Sequence, residues 1–147
     1  AIRAALDRAL GAAAAGDAPA AIRAAAQFHY RFVRAHPFRC ANQSVAMNLV
    51  NEVLRRAGRG PIPHLALDHL ALRLSDDAYV AAFERAVQAF GGPHATPAAR
   101  VAALAGATRA ALAFMDAVSA APNGAEADRL VAAGGDAARW ALVTAPA

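Results

Sequence analysis

Apolar residues recur at helical spacing along most of this chain, and the pattern breaks where glycine and proline stand. Residues 1–15 read as a helix ending near Gly16, and Asp17 with Pro19 opens the next one. Over 19–35 the stripe is Ile22, Ala26, His29 and Val33, flanked by Ala25 and Phe32. The chain must leave this helix near His36, because the residue before a proline is pushed out of the α region. A third helix is expected from Asn42 to Ala57, with Gly58 as its stop. Its apolar face is Val45, Ala46, Leu49, Val50, Val53 and Leu54, opposite Ser44, Asn48, Asn51 and Arg55. Gly60-Pro61-Ile62-Pro63 reads as a rigid connector, and 64–74 is ambiguous between a short helix and an extended segment. Ser75-Asp76-Asp77 is an N-cap with acids in the first turn, opening a helix to about Phe90. Gly91-Gly92-Pro93 ends it, and two more helices follow over about 97–120 and 126–143, separated by Pro122-Asn123-Gly124. The fold class is all-α.

Composition agrees. The 147 residues fit one domain with a core of its own, and an Ala-rich chain that is 58% hydrophobic favours helices. No stretch approaches the ~20 consecutive apolar residues of a membrane span, because Arg, Asp or Gln interrupts every Ala-rich run. A single cysteine excludes an intrachain disulfide and a multi-cysteine metal site. With no secretory leader in view, the expected location is the cytoplasm; a start at Ala1 in helical sequence suggests a fragment of a longer protein.

All 15 basic residues are Arg, which looks like GC-rich codon usage, so the net charge of +4 says less about partners than it first suggests. The distribution says more. Between Arg31 and Arg59 six arginines face one acid, Glu52, for a local charge of +5. That field attracts anionic small molecules such as nucleotides or phosphates, while the plainer reading is a set of solvated helix faces. Nucleic-acid binding is not expected, since no base-reading motif accompanies the charge.

Between the second and third helices runs His36-Pro37-Phe38-Arg39-Cys40-Ala41-Asn42-Gln43-Ser44. It resembles the signature of the Fic/Doc (Fido) family, His-Pro-Phe-x-acid-Gly-Asn-Gly-Arg-x-x-Arg. His36, Pro37, Phe38 and Asn42 fall in register, whereas Cys40, Ala41, Gln43, Ser44 and Met47 replace the acid, both glycines and both arginines. The resemblance extends from about Ala20 to Ala86, through Tyr30-Arg31-Phe32-Val33, the Leu54-Arg55-Arg56-Ala57-Gly58 helix end and the helix bearing Tyr79 and Phe83. It implies a single Fic-like helical domain over 1–147, with the family core at about 20–90 and a helical extension at about 97–143.

By that resemblance His36 is the general base that takes a proton from a target hydroxyl, including one on a protein. Phe38, with Pro37, anchors the loop in the core. Asn42 caps the third helix and, with Ala41, Gln43, Ser44 and Arg39, shapes a cradle for the phosphates of a nucleotide donor. His36 should face a pocket near the N–H groups of Ala41, Asn42 and Gln43, and the third helix should be the central, most buried one. Magnesium is doubtful because Cys40 is a poor ligand for a hard, oxygen-preferring cation, and the acid nearest to it in sequence is Glu52. Ser44 and Met47 cannot neutralise phosphate charge, and each lost contact of that kind commonly costs ~3–4 kcal/mol. Arg39, Arg55 or Arg34 would have to substitute. Ala41-Asn42 is nearer to the Doc phosphotransferase branch, a pattern that Gln43 and Ser44 then break.

Two readings stay open: a divergent Fic-type transferase of nucleotidyl or other phosphate-bearing groups, and a catalytically silent Fic-like binding or accessory domain. Cys40 has a sharper reading as a nucleophile and a plainer one as an inert thiol. His29 is expected to be a satisfied core histidine; His64, Asp68 and His69 form a possible metal cluster without recognised spacing; His94 carries no signal. Tyr79, Phe83, Phe90, Phe114 and Trp140 are expected in the core.

Overall fold

A computed structural model describes residues 2–62, 64, 67–91 and 116–133. Among the described residues the helices run in the order α1 (Ile2–Ala14), α2 (Ala18–Ala35), α3 (Asn42–Arg56), α4 (Leu67–Arg73), α5 (Asp76–Phe90) and α6 (Gly124–Ala133). Residues 116–119 add one helical turn, and the described residues contain no strand. The protein is all-α. The expected helices over 97–115 and 134–143, and His94, Phe114 and Trp140, lie outside the described residues.

Helix boundaries follow local chemistry. Gly16 takes a φ of +75° in the turn after α1. The Asp17 carboxylate then accepts the Ala20 N–H at 3.0 Å, with proline in the first turn of α2. Ser75 caps α5 by accepting the Ala78 N–H, and Asp128 of α6 accepts the Ser75 N–H at 3.0 Å. α6 starts two residues earlier than its pattern predicts because Asn123 caps it, accepting the Glu126 N–H at 3.0 Å. α2 ends at His36 as expected, yet His36 is not extended: it is left-handed at φ 45°, ψ 56°, and its N–H donates to the Phe32 carbonyl.

α2, not α3, is the central helix. It packs against α1, α3, α4 and α5 and buries Ala21, Ala25, Ala26, Phe28, His29, Phe32 and Val33 around much of its circumference. α3 leaves Ser44, Asn48, Arg55 and Arg56 in solvent. The α1–α2 contact is the most extensive, with Ala5, Ala9 and Ala13 buried on α1. Side chains that stop at Cβ let the two helices come close. Larger groups fill the other flank of α2: Met47, Val50 and Leu54 from α3, Leu67 and Leu70 from α4, and Tyr79, Phe83 and Phe90 from α5.

The ambiguous stretch after the connector contains α4, a helix of two turns. Such a short helix is marginal alone, and other elements satisfy the carbonyls at its end. Arg34 donates to the Ala71 and Leu72 carbonyls at 3.1 and 3.4 Å, and the Tyr30 hydroxyl donates to the Leu74 carbonyl at 3.1 Å. Arg73 in turn donates to the Ser119 and Ala121 carbonyls. Asn51 holds the connector, accepting the Ile62 N–H at 2.9 Å and donating to its carbonyl at 3.1 Å.

Candidate functional site

The loop from His36 to Ala41 leads into a helix start with no side-chain cap. Ala41 is left-handed (φ 60°, ψ 16°) and its methyl group offers no acceptor. The first helical bond is Val45 N–H to the Ala41 carbonyl at 3.0 Å. The N–H groups of Asn42, Gln43 and Ser44 therefore have no acceptor among the described residues, the usual condition of an open helix N-terminus.

Asn42 does not cap that helix. Its side chain, 1% exposed, turns back to the loop, accepting the Phe38 N–H at 2.9 Å and donating to the Phe38 carbonyl at 2.7 Å. It shapes the loop instead, because as the first residue inside α3 it points toward the preceding turn. Phe38 also departs from expectation. It is 52% exposed, with its ring edge-tilted on Phe32 at 5.9 Å, so its backbone and not core burial anchors the loop.

His36, Pro37, Arg39, Cys40, Ala41 and Ser44 are exposed and Gln43 is half-buried. These residues share one surface by adjacency in the chain. His36 lines neither the groove beside Tyr30 and Arg34 nor the one between Arg8 and Arg23.

Half of the arginines gathered around this loop in the sequence are already engaged. Glu52 receives Arg55 in a two-pronged pair at 2.8 Å and Arg56 at 2.7 Å. Those two hydrogen-bonded guanidinium groups hold its carboxyl down at about 2. Arg34 is bound to the end of α4. Of the three arginines that could stand in for the missing ones, Arg39 alone has no hydrogen bond or ion pair among the described residues. Met47, in place of the second arginine, is 1% exposed and part of the core.

A second set of polar groups meets in the interior. His29, fully buried, has Nδ1 2.6 Å from the Tyr79 hydroxyl, and its ring stacks parallel to that of Tyr79. Burial first, and the Asp68 carboxylate second, push the Tyr79 hydroxyl well above its ordinary value. His29 Nε2 approaches Asp68 Oδ1 at 3.2 Å, close enough for an ion pair but outside hydrogen-bond geometry, so both atoms are buried without a partner. The other Asp68 oxygen lies 3.4 Å from His64 Nδ1.

His69 turns away from this group and pairs with the Ser119 hydroxyl. Burial, then Arg73, lowers its basicity, against a smaller opposing effect of Asp116. The expected trio of His64, Asp68 and His69 is thus divided, because adjacent helical residues point about 100° apart. No three His, Cys, Asp or Glu side chains converge on a metal position among the described residues. His29 and Asp68 lie 39 positions apart in sequence, and no local pattern signals their meeting.

The chain matches no protein-family model, no curated protein and no solved structure. No helix among the described residues is long and apolar enough to cross a membrane.

Proposed function

We propose that this chain is a Fic-like module that holds a phosphate-bearing small molecule at the His36–Ser44 loop and does not carry out metal-dependent nucleotidyl transfer. The observation that carries this reading is the uncapped start of α3, with its N–H groups at Asn42, Gln43 and Ser44, beside exposed Arg39 and His36. Unpaired N–H groups and a helix dipole favour an anion there. Silence is supported by the neighbouring side chains: Cys40 is a poor donor for magnesium, Met47 is enclosed, and Arg55 and Arg56 are committed to Glu52.

Calorimetric titration with ATP tests the binding half. Arg39→Glu should weaken binding by about tenfold, and magnesium should change the affinity by less than that, about 1.4 kcal/mol. Unchanged binding in Arg39→Glu, or a strong magnesium dependence, would overturn it. A transfer assay with labelled nucleotides tests the other half. One observation favours retained chemistry: the His36 ring is exposed and makes no hydrogen bond among the described residues. Label transferred by the wild type and lost in His36→Ala would establish that second reading.

A further inference from the structure

The C-terminal end of α2, just before the His36 loop, carries a groove that no residue of that loop lines. It holds about 480 Å³, within the range of small-ligand sites, between Tyr30 and Arg34 of α2, Leu72 and Leu74 at the end of α4, and Gly124 and Ala125 at the start of α6. The geometry points to a binding site for a small amphipathic carboxylate, with its charged group on Arg34 and its apolar body against Tyr30 and Leu72.

Arg34 is fixed but not neutralised. One of its nitrogens is held by the Ala71 and Leu72 carbonyls, and its guanidinium sits 5.1 Å over the Tyr30 ring. Tyr30 is itself pinned through its hydroxyl to Leu74. The remaining N–H donors of Arg34 have no acceptor among the described residues, and no carboxylate pairs with it there. Arg23, Arg55, Arg56 and Arg129, in contrast, each have one. The one acid in the groove, Asp128, accepts the Ser75 N–H through one oxygen, and Arg34 and Arg73 together outweigh its charge. A guanidinium immobilised on one side loses little freedom when an anion takes the other.

Two further features face the same space. Leu72, 55% exposed, is one of the two large apolar side chains left in solvent among the described residues. The N–H groups of Gly124 and Ala125 open α6 without an acceptor among the described residues, adding the positive end of a ten-residue helix. A fixed cation, an exposed leucine and an open helix end together select a ligand with one negative end and one apolar end.

The test is an NMR titration of the ¹⁵N-labelled chain with phenylacetate, acetate and phenethylammonium. Phenylacetate should shift Leu72, Leu74, Ser75, Gly124 and Ala125 and the Arg34 Nε signal, and should leave Arg39 and Gln43 unmoved. Acetate should bind about tenfold more weakly and the cation should not bind. Leu72→Asp, an exposed change that leaves the packing intact, should abolish the response, and Arg34→Lys should weaken it. Equal response to all three probes, shifts confined to the His36 loop, or full binding by Leu72→Asp would each overturn the proposal.

Discussion

The Asn42 side chain closes a ring of two hydrogen bonds with a single residue, Phe38, accepting its N–H at 2.9 Å and donating to its carbonyl at 2.7 Å. Asn51 does the same for Ile62 two turns further along α3. One helix thus holds the loop before it and the connector after it by the same device, an amide imitating a strand partner.

Asn42→Ala leaves both Phe38 groups without their partner and should cost about 1–3 kcal/mol in urea denaturation. Asn42→Asp keeps the acceptor but sets a carboxylate oxygen against the Phe38 carbonyl, so it too should destabilise. An Asp variant as stable as wild type would show that the ring does not hold the loop.

Tyr79→Phe removes the hydroxyl that partners buried His29 and should cost about 1–3 kcal/mol. Tyr30→Phe, at a half-buried site where water can replace the lost bond, should cost less. The ratio of the two denaturation midpoints checks the ordering.

A Cβ added at Gly91 would lie 2.9 Å from the Gly60 carbonyl oxygen and 3.0 Å from that of Val87, both backbone atoms with little room to yield. The Gly60 N–H also donates to the Gly91 carbonyl at 2.9 Å. Gly91→Ala should destabilise by about 1–3 kcal/mol and speed amide exchange at Gly60. Unchanged exchange there would count against this contact as the tie between α5 and the connector.

Glu52 supplies the pH prediction. Its carboxyl sits at about 2, below the ordinary 4.5, because Arg55 and Arg56 bond to its charged form. The folded value is the lower one, so the contribution is present above 4.5 and lost as pH falls toward 2. Thermal melts across that window should fall less steeply for Glu52→Gln than for wild type. The site is exposed, so added salt should shrink the difference.

The helix ends were legible because the groups that make them lie within four residues of one another. Asp17 with Ala20, Ser75 with Ala78 and the break before Pro37 are all contacts of that reach, and local chemistry decides them. Asn42 already stood out in the motif, but its partner did not, since an asparagine at a helix start can cap forward or turn back.

Tertiary structure alone settled which faces met. α4 is a helix because Arg34 and Tyr30, 37 and 44 residues from their acceptors, satisfy the carbonyls at its end. α2 is central because it found partners in α1, α3, α4 and α5, whereas the pattern of each helix specifies only its own stripe. The meeting of His29 with Tyr79, 50 positions away, has the same origin. Periodicity records which side of a segment avoids water, but burial and charge pairing depend on what arrives on that side, which distant parts of the chain decide.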